Sequence, residues 1–319
     1  MAGRRRKSKK TPVWLTVLTL MVGALCYLAL ETTVFDPLLE KTGLLATLKG
    51  NTTTSSSDSS EPTGLSESPA TSRHAVIAHL ERPVVQGKRP SQLIEHIAYT
   101  VDYNPKWNIP NWVAYCLTAE ETQGGEERAD HFKPDPLVKG DPVVTKDYSN
   151  SGYDRGHMAP AADFKWSEEA MRESFYMTNM CPQNHNLNAG DWKELEELVR
   201  CLAAEYGCIY VCCGPVVNSR PMTIGSERKI VVPAAFFKTL LRQKADGSWT
   251  GIGFLFANKA GNRKLQEYAM TIDELETTAG IDFFPLLDDK VETAVEADYS
   301  LADWRIKDSM DKPQKKQSK

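Results

Sequence analysis

Apolar positions fall along this chain in three regimes. Val13 to Leu30 reads VWLTVLTLMVGALCYLAL, 18 residues without a charge, just long enough for a helix to cross a bilayer. Asn51 to Arg73 is rich in Ser, Thr and small polar residues. Such a stretch cannot bury enough apolar surface to fold and reads as a flexible spacer. From about His74 to Arg305, apolar runs alternate with turn signals. Runs rich in Ile, Val, Phe and Tyr predict strands over Ala98–Tyr103, Trp112–Thr118, Cys208–Cys213, Lys229–Val232 and Gly251–Phe256. Asp191–Glu205 has the helical period, with Trp192, Leu195, Leu198, Val199 and Leu202 on one side and Gly207 to end it. Ile272–Thr278 predicts a short helix. No internal repeat and no regular strand–helix–strand rhythm is present, so the expected class is α+β with a largely antiparallel sheet.

Charge changes this picture in two ways. The formal net charge is −4, but Arg4, Arg5, Arg6, Lys7, Lys9 and Lys10 directly precede the apolar run. The positive-inside rule then places the N-terminus in the cytoplasm. The expected organisation is a basic segment (1–12), an uncleaved membrane anchor (13–30), a linker (31–73), a folded domain (74–305) and a basic tail (306–319). A bacterial inner membrane with the domain in the periplasm is the first expectation, and a mitochondrial inner membrane the second. The rival, a cleaved signal peptide, lacks a small-x-small site closing the run. Once both basic ends are set aside, the body of the chain is acidic. A protein that held nucleic acid by bulk charge alone would be basic, so any chemistry on nucleic acid must rest on a local site and on metal ions.

Of the seven cysteines, Cys26 lies in the apolar run. The others are Cys116, Cys181, Cys201, Cys208, Cys212 and Cys213. No CxxC pair has a matching second pair, which argues against structural zinc. Most are expected to be packing residues. Cys212 and Cys213, adjacent in a strand, should face opposite sides of it.

The chemistry concentrates between Gly152 and Glu196. His157 follows an Asp-Arg-Gly turn, at the end of an expected strand. Imidazole titrates near neutrality and suits a general base, although a lone histidine is more often a packing or surface residue. Asn188 stands at the expected start of a helix, with Glu196 eight residues on, offset by about 80° around the axis. Taken singly, Asn188 reads as a helix cap and Glu196 as a solvated helix face. Together, an amide oxygen, a carboxylate and water suit a hard ion such as Mg²⁺.

The sequence DRGH at Asp154–His157, followed by TNxxPQNxxLNxGxWxxLE at Thr178–Glu196, resembles the DNA/RNA non-specific endonucleases. The likeness extends to WVAY at Trp112–Tyr115, FKPDP at Phe132–Pro136, CGP at Cys213–Pro215, VPAAFFK at Val232–Lys238 and the segment Thr271–Leu287, and so covers most of the domain. The resemblance implies a central sheet flanked by helices around a ββα metal finger (a His-Me finger), its strand bearing His157 and its helix Asn188. It implies hydrolysis of DNA and RNA to 5′-phosphate ends with Mg²⁺, Mn²⁺ as its substitute. By the same resemblance His157 is the general base and Asn188 the direct metal ligand, while Glu196 orients a water of the ion's shell. Asp154 stands behind the ligand, Asn179 orients the imidazole of His157, and Arg128 stabilises the phosphate. One branch of the family carries an Arg two residues before the aromatic of FKPDP. That position here is Asp130, and Arg128 lies four residues before Phe132, which leaves Arg155 as the rival for contact with nucleic acid. A homodimer, an inhibitor protein and the membrane, through the N-terminal helix, complete the partners considered. The rival function is a catalytically silent nucleic-acid-binding or tethering module of the same fold, which would have no need of His157, Asn188 and Glu196 together.

Overall fold

A computed structural model describes residues 76–306. In chain order the strands are β1 (Val84–Val85), β2 (Gln92–Glu95), β3 (Thr100–Asn104), β4 (Ile109–Thr118), β5 (Asp154–His157), β6 (Met180–Gln183) and β7 (Cys208–Val216). They continue as β8 (Thr223–Ile224), β9 (Ile230–Val231), β10 (Ala235–Gln243), β11 (Trp249–Ala257), β12 (Ala269–Met270) and β13 (Ile281–Asp282). The helices are α1 (Glu168–Glu173), α2 (His185–Ala189), α3 (Asp191–Tyr206), α4 (Ile272–Ala279) and α5 (Asp289–Glu296).

Seven strands form one sheet in the order β12-β11-β10-β7-β4-β3-β2, and every pairing in it is antiparallel. The α+β expectation is met. The period-2 alternation of strand side chains divides the core in two. Ile209, Val211 and Cys213 of β7 join Phe236, Leu240 and Trp192 on one face. Tyr210 and Cys212 join Phe237, Leu241, Ile272 and Leu275 on the other. Cys212 and Cys213 thus face opposite sides, as their adjacency predicted. Helix α3 covers the first face through Trp192, Leu195, Val199 and Leu202, all buried, and ends at Gly207 with φ +97°, a conformation that favours glycine. Helices α4 and α5 cover the second face.

The central strand β10 went unrecognised in the sequence. It is buried on both faces, and Lys238 and Arg242 interrupt the apolar run of its residues AFFKTLLRQ. Both cations are held by aromatic rings. The Lys238 ammonium, with no exposed surface, lies 4.4 Å from the centroid of Trp192, and the Arg242 guanidinium lies 3.9 Å from that of Tyr206.

The cysteines divide differently from expectation. Cys116 on β4 and Cys208 on β7 are joined by a disulfide, with their Cα atoms 6.6 Å apart. Cys181, Cys212 and Cys213 are buried packing residues, and Cys201 is exposed. Among the described residues no helix is long and apolar enough to cross a membrane. The expected anchor (13–30), its basic flank (1–12), the linker (31–73) and nearly all of the basic tail lie outside the described residues.

Candidate active site

A two-stranded antiparallel ribbon, β5 with β6, pairs Asp154 with Gln183, Gly156 with Cys181 and His157 with Met180. The DRGH sequence is therefore a strand, and His157 closes it. Gly156 is required by packing: a Cβ there would collide with the Gln183 side chain. After β6 the chain turns at Asn184, whose side-chain oxygen accepts from the Asn186 and Leu187 N–H groups and caps α2. This is the ββα arrangement, with one difference from expectation. Asn188 and Glu196 do not share a continuous helix. Asn188 lies in the short α2, which ends at Ala189, Gly190 interrupts the helix at φ −112° and ψ −112°, and Glu196 lies within α3. A Cβ on Gly190 would stand 2.5 Å from the Asn186 carbonyl oxygen, so the break needs glycine.

Six of the seven expected residues meet in one cleft of about 470 Å³: Arg128, Asp154, Arg155, His157, Asn188 and Glu196. The His157 ring is packed edge-on against Phe175 at 5.0 Å between centroids, with Phe132 at 5.6 Å. Its Nε2 is sealed and without a hydrogen-bond partner, which leaves Nδ1 as the nitrogen that can serve the cleft. Burial, reinforced by repulsion from Arg128 and only partly opposed by Asp130, lowers its pKa to about 3. The imidazole is therefore neutral at physiological pH, and it can take a proton only where charge in the cleft stabilises the imidazolium.

Asp154 organises the ligand side. Its Oδ2 accepts from Asn188 Nδ2 at 2.9 Å and pairs with His185 Nδ1 at 2.9 Å. With its NH₂ so occupied, Asn188 keeps its Oδ1 free as a neutral donor. Glu196 has no ion-pair partner among the described residues. Burial raises its pKa to about 7, against the pull of Lys238 beneath it. An amide oxygen, a carboxylate and room for water form an oxygen-only donor set that fits a hard divalent ion and disfavours a thiophilic one.

Asn179 is the exception. It lies outside the cleft, fully buried. Its Oδ1 accepts from the Ala159 N–H at 2.9 Å, and its Nδ2 donates to the Ala159 and Ser174 carbonyls at 2.8 and 2.9 Å. Its own carbonyl accepts from the Met158 N–H. It holds the main chain after His157 rather than the imidazole, which corrects the expectation. The reason is local: Asn179 precedes β6, and its short side chain is used up on the neighbouring backbone. The FKPDP block is built into the same region. Asp135 is buried and accepts from Thr178 Oγ1 at 2.6 Å and pairs with His96 Nε2 at 3.0 Å.

The two arginines have distinct surroundings. The Arg128 guanidinium lies 5.0 Å from the Phe175 ring centroid and pairs with exposed Asp130. Arg155 lies 5.2 Å from the Phe132 centroid and 5.9 Å from that of Tyr148, and donates to the Thr145 carbonyl. Lys193 and Arg200, on α3, also line the cleft, and Arg200 pairs with buried Asp163 at 2.9 Å. Neither these two nor His185 was singled out from the sequence. The spacing Lys193–Glu196–Arg200, three and four residues apart on one helix face, was the available signal. Four cations thus line the cleft beside Asp154 and Glu196, and Arg128, Lys193 and Arg200 are each paired with a carboxylate.

Residues 78–290 match the model of the DNA/RNA non-specific endonuclease family, and the chain belongs to that family. It is 35% identical over 209 residues to the mitochondrial nuclease EXOG of Xenopus laevis, covering 61% of this chain and 58% of that one. Human mitochondrial endonuclease G is 32% identical over 208 residues, covering 61% of this chain and 70% of that one. The chain thus spans under two thirds of the first relative's length. The structure is similar to that of EndoG in its complex with EndoGI, at a TM-score of 0.59 and 28% identity, over 64% of this chain and 89% of the solved one. These likenesses correct the expected placement. The named relatives are mitochondrial nucleases, which speaks against the periplasm, and no helix among the described residues is long and apolar enough to cross a membrane.

Proposed function

We propose that the folded domain, residues 74–305, is a divalent-metal-dependent endonuclease. It would hydrolyse the phosphodiester bonds of DNA and RNA without sequence preference and leave 5′-phosphate ends. The observation that carries this reading is the meeting, in one cleft, of a neutral imidazole with an amide oxygen fixed by a carboxylate. Asn188 Oδ1 and Glu196 would hold Mg²⁺, or Mn²⁺ in its place, and the ion would supply positive charge to the phosphate and the leaving oxygen. His157 Nδ1 takes the proton of the attacking water as its oxygen bonds to phosphorus. The bond from phosphorus to the 3′ oxygen breaks, and that oxygen takes a proton from a solvent water and leaves as a hydroxyl. Glu196 accepts a hydrogen bond from water on its side of the cleft and fixes its direction. Asp154 positions Asn188, and Asn179 positions the backbone that carries His157.

Arg128 is assigned to the phosphate, because its guanidinium rests on the ring that also packs against His157. Arg155, held by two rings and a carbonyl, lines the nucleic-acid path. Contacts aimed at phosphate carry no sequence information, which supports tolerance of both sugars and all bases. An inhibitor protein and a second copy of the chain are further proposed partners. The inhibitor is favoured by the EndoGI complex of the structural relative.

The test is a panel of plasmid, single-stranded DNA, RNA and bis-p-nitrophenyl phosphate, incubated with Mg²⁺ or with chelator, with the product ends mapped. Cleavage of all nucleic acids with 5′-phosphate ends is expected. Turnover of the small diester alone, or 3′-phosphate ends, would overturn the reading.

A further inference from the structure

On the face of the sheet opposite the α3 side, α4 and α5 pack over β11. Three carboxylates converge there. Asp273 and Glu276 come from α4 and Glu296 from the end of α5, and one oxygen of each lies within 4.8 Å of the others. Glu296 is only 7% exposed, and its Oε1 is sealed from solvent with no hydrogen-bond partner. Asp282 and Glu292 add negative field around the group. Among the described residues, no Lys, Arg or His pairs with any of these five carboxylates. The single donor to the three is the Phe283 N–H, given to Glu276 Oε1 at 2.6 Å. Glu296 also ends its helix, where the negative end of the helix dipole disfavours a carboxylate.

Buried charges in proteins are paired or coordinate metals. Here a carboxylate oxygen sealed from solvent and without a partner lies in a group of like charges. We propose that Asp273, Glu276 and Glu296 form a second divalent-cation site, separate from the catalytic cleft, that takes Ca²⁺.

The donor chemistry selects the ion. All three ligands are carboxylate oxygens, which suits hard cations and offers nothing to softer ones. Calcium takes roughly six to eight oxygen ligands at about 2.3–2.6 Å in flexible geometry. One oxygen of each lies within 4.8 Å of the others, close enough for the three to share one such ion. Magnesium demands near-ideal octahedral geometry at about 2.0–2.1 Å, keeps most of its water and is usually held by only one or two carboxylates. Exposed Asp273 leaves a side open for water to complete the coordination. The bound ion would tie α4 to α5 and, through the Phe283 N–H, to the chain that follows β13.

The test uses the full chain carrying Asn188→Ala, so that an ion in the catalytic cleft does not contribute. After dialysis against chelator, CaCl₂ is titrated calorimetrically and the melting temperature is followed. One Ca²⁺ per chain is expected, and at about 100-fold excess over Kd a rise of roughly 5–10 °C. Adding Asp273→Asn or Glu296→Gln should abolish both signals with the fold intact by circular dichroism. If Glu296→Gln does not fold, the exposed Asp273→Asn still decides. Absence of binding heat, a Ca²⁺ response that survives Asp273→Asn, or a melting temperature that answers to pH but not to Ca²⁺ would each overturn the proposal.

Discussion

Replacing Asn179 by Ala separates two roles that a motif alone cannot distinguish. The side chain makes three hydrogen bonds to the main chain on either side of the site, two with Ala159 and one with Ser174. All the residues involved are buried. Each buried backbone group left unmade costs about 1–3 kcal/mol, so with partial relaxation the loss should reach roughly 3–6 kcal/mol. That is a large part of the roughly 5–15 kcal/mol that stabilises a whole domain. At about 2–4 °C per kcal/mol for a domain of this size, the melting temperature should fall by roughly 6–24 °C. Asn179→Asp should do no better. It keeps an acceptor for the Ala159 N–H but turns a carboxylate oxygen toward two carbonyls. Below the melting temperature the rate should also fall, by up to about 10²-fold, because the strand end carrying His157 is released. The assay pairs thermal and urea unfolding with plasmid nicking at low temperature. A melting temperature within about 2 °C of the parent's, together with a collapsed rate, would refute this reasoning. Asn179 would then act on the imidazole itself.

Three other outcomes follow from the same geometry. The folded-state pKa of His157, about 3, lies below its ordinary 6.5, so its contribution to stability is present above pH 6.5 and is lost as pH falls from 6.5 toward 3. Between pH 6.5 and 4.5 this amounts to about 2–3 kcal/mol; His157→Gln should show a shallower pH dependence of unfolding, and equal slopes would contradict it. Asp154→Ala releases the Asn188 amide and should raise the Mg²⁺ concentration for half-maximal cleavage by roughly 10–100-fold; an unchanged Mg²⁺ titration would remove Asp154 from the site. Cys116 and Cys208 are separated by 92 residues, and opening a loop of that size should cost about 2–5 kcal/mol; unfolding with and without reductant measures it, and equal stability would mean that the bond contributes nothing.

The sequence was informative where local chemistry and tertiary structure agree. The start of α3 and the strands β4, β7 and β11 were readable because runs rich in Ile, Val, Phe and Tyr are set off by turn signals, whereas Asp154–Gly156, expected as a turn, proved to be strand. Strand β10 was not, because two cations, Lys238 and Arg242, interrupt its apolar run and their aromatic partners are remote in sequence. Helix α5, eight residues with few apolar positions, offered too little pattern. In the cleft, residue identities were readable but their contacts were not. Nothing in TNMCPQNHNLN says that Asn179 turns to the backbone while Asn188 turns to Asp154; that choice is made by the register of β5 against β6. Gly190 could be read as a helix boundary but not as a break inside the motif, because the clash with the Asn186 carbonyl exists only after folding.

The measurement closest to the central claim is cleavage of supercoiled plasmid by the purified chain across a Mg²⁺ titration, with the parent, His157→Ala and Asn188→Ala run in parallel. The parent should nick and fragment the plasmid and stop when the ion is chelated. His157→Ala should lose roughly 10²–10⁴-fold in rate at every Mg²⁺ concentration, the range of general acid–base effects. Asn188→Ala should be nearly inactive at Mg²⁺ concentrations that saturate the parent. Parental rates in either variant, or undiminished cleavage by the parent after exhaustive chelation, would contradict the account.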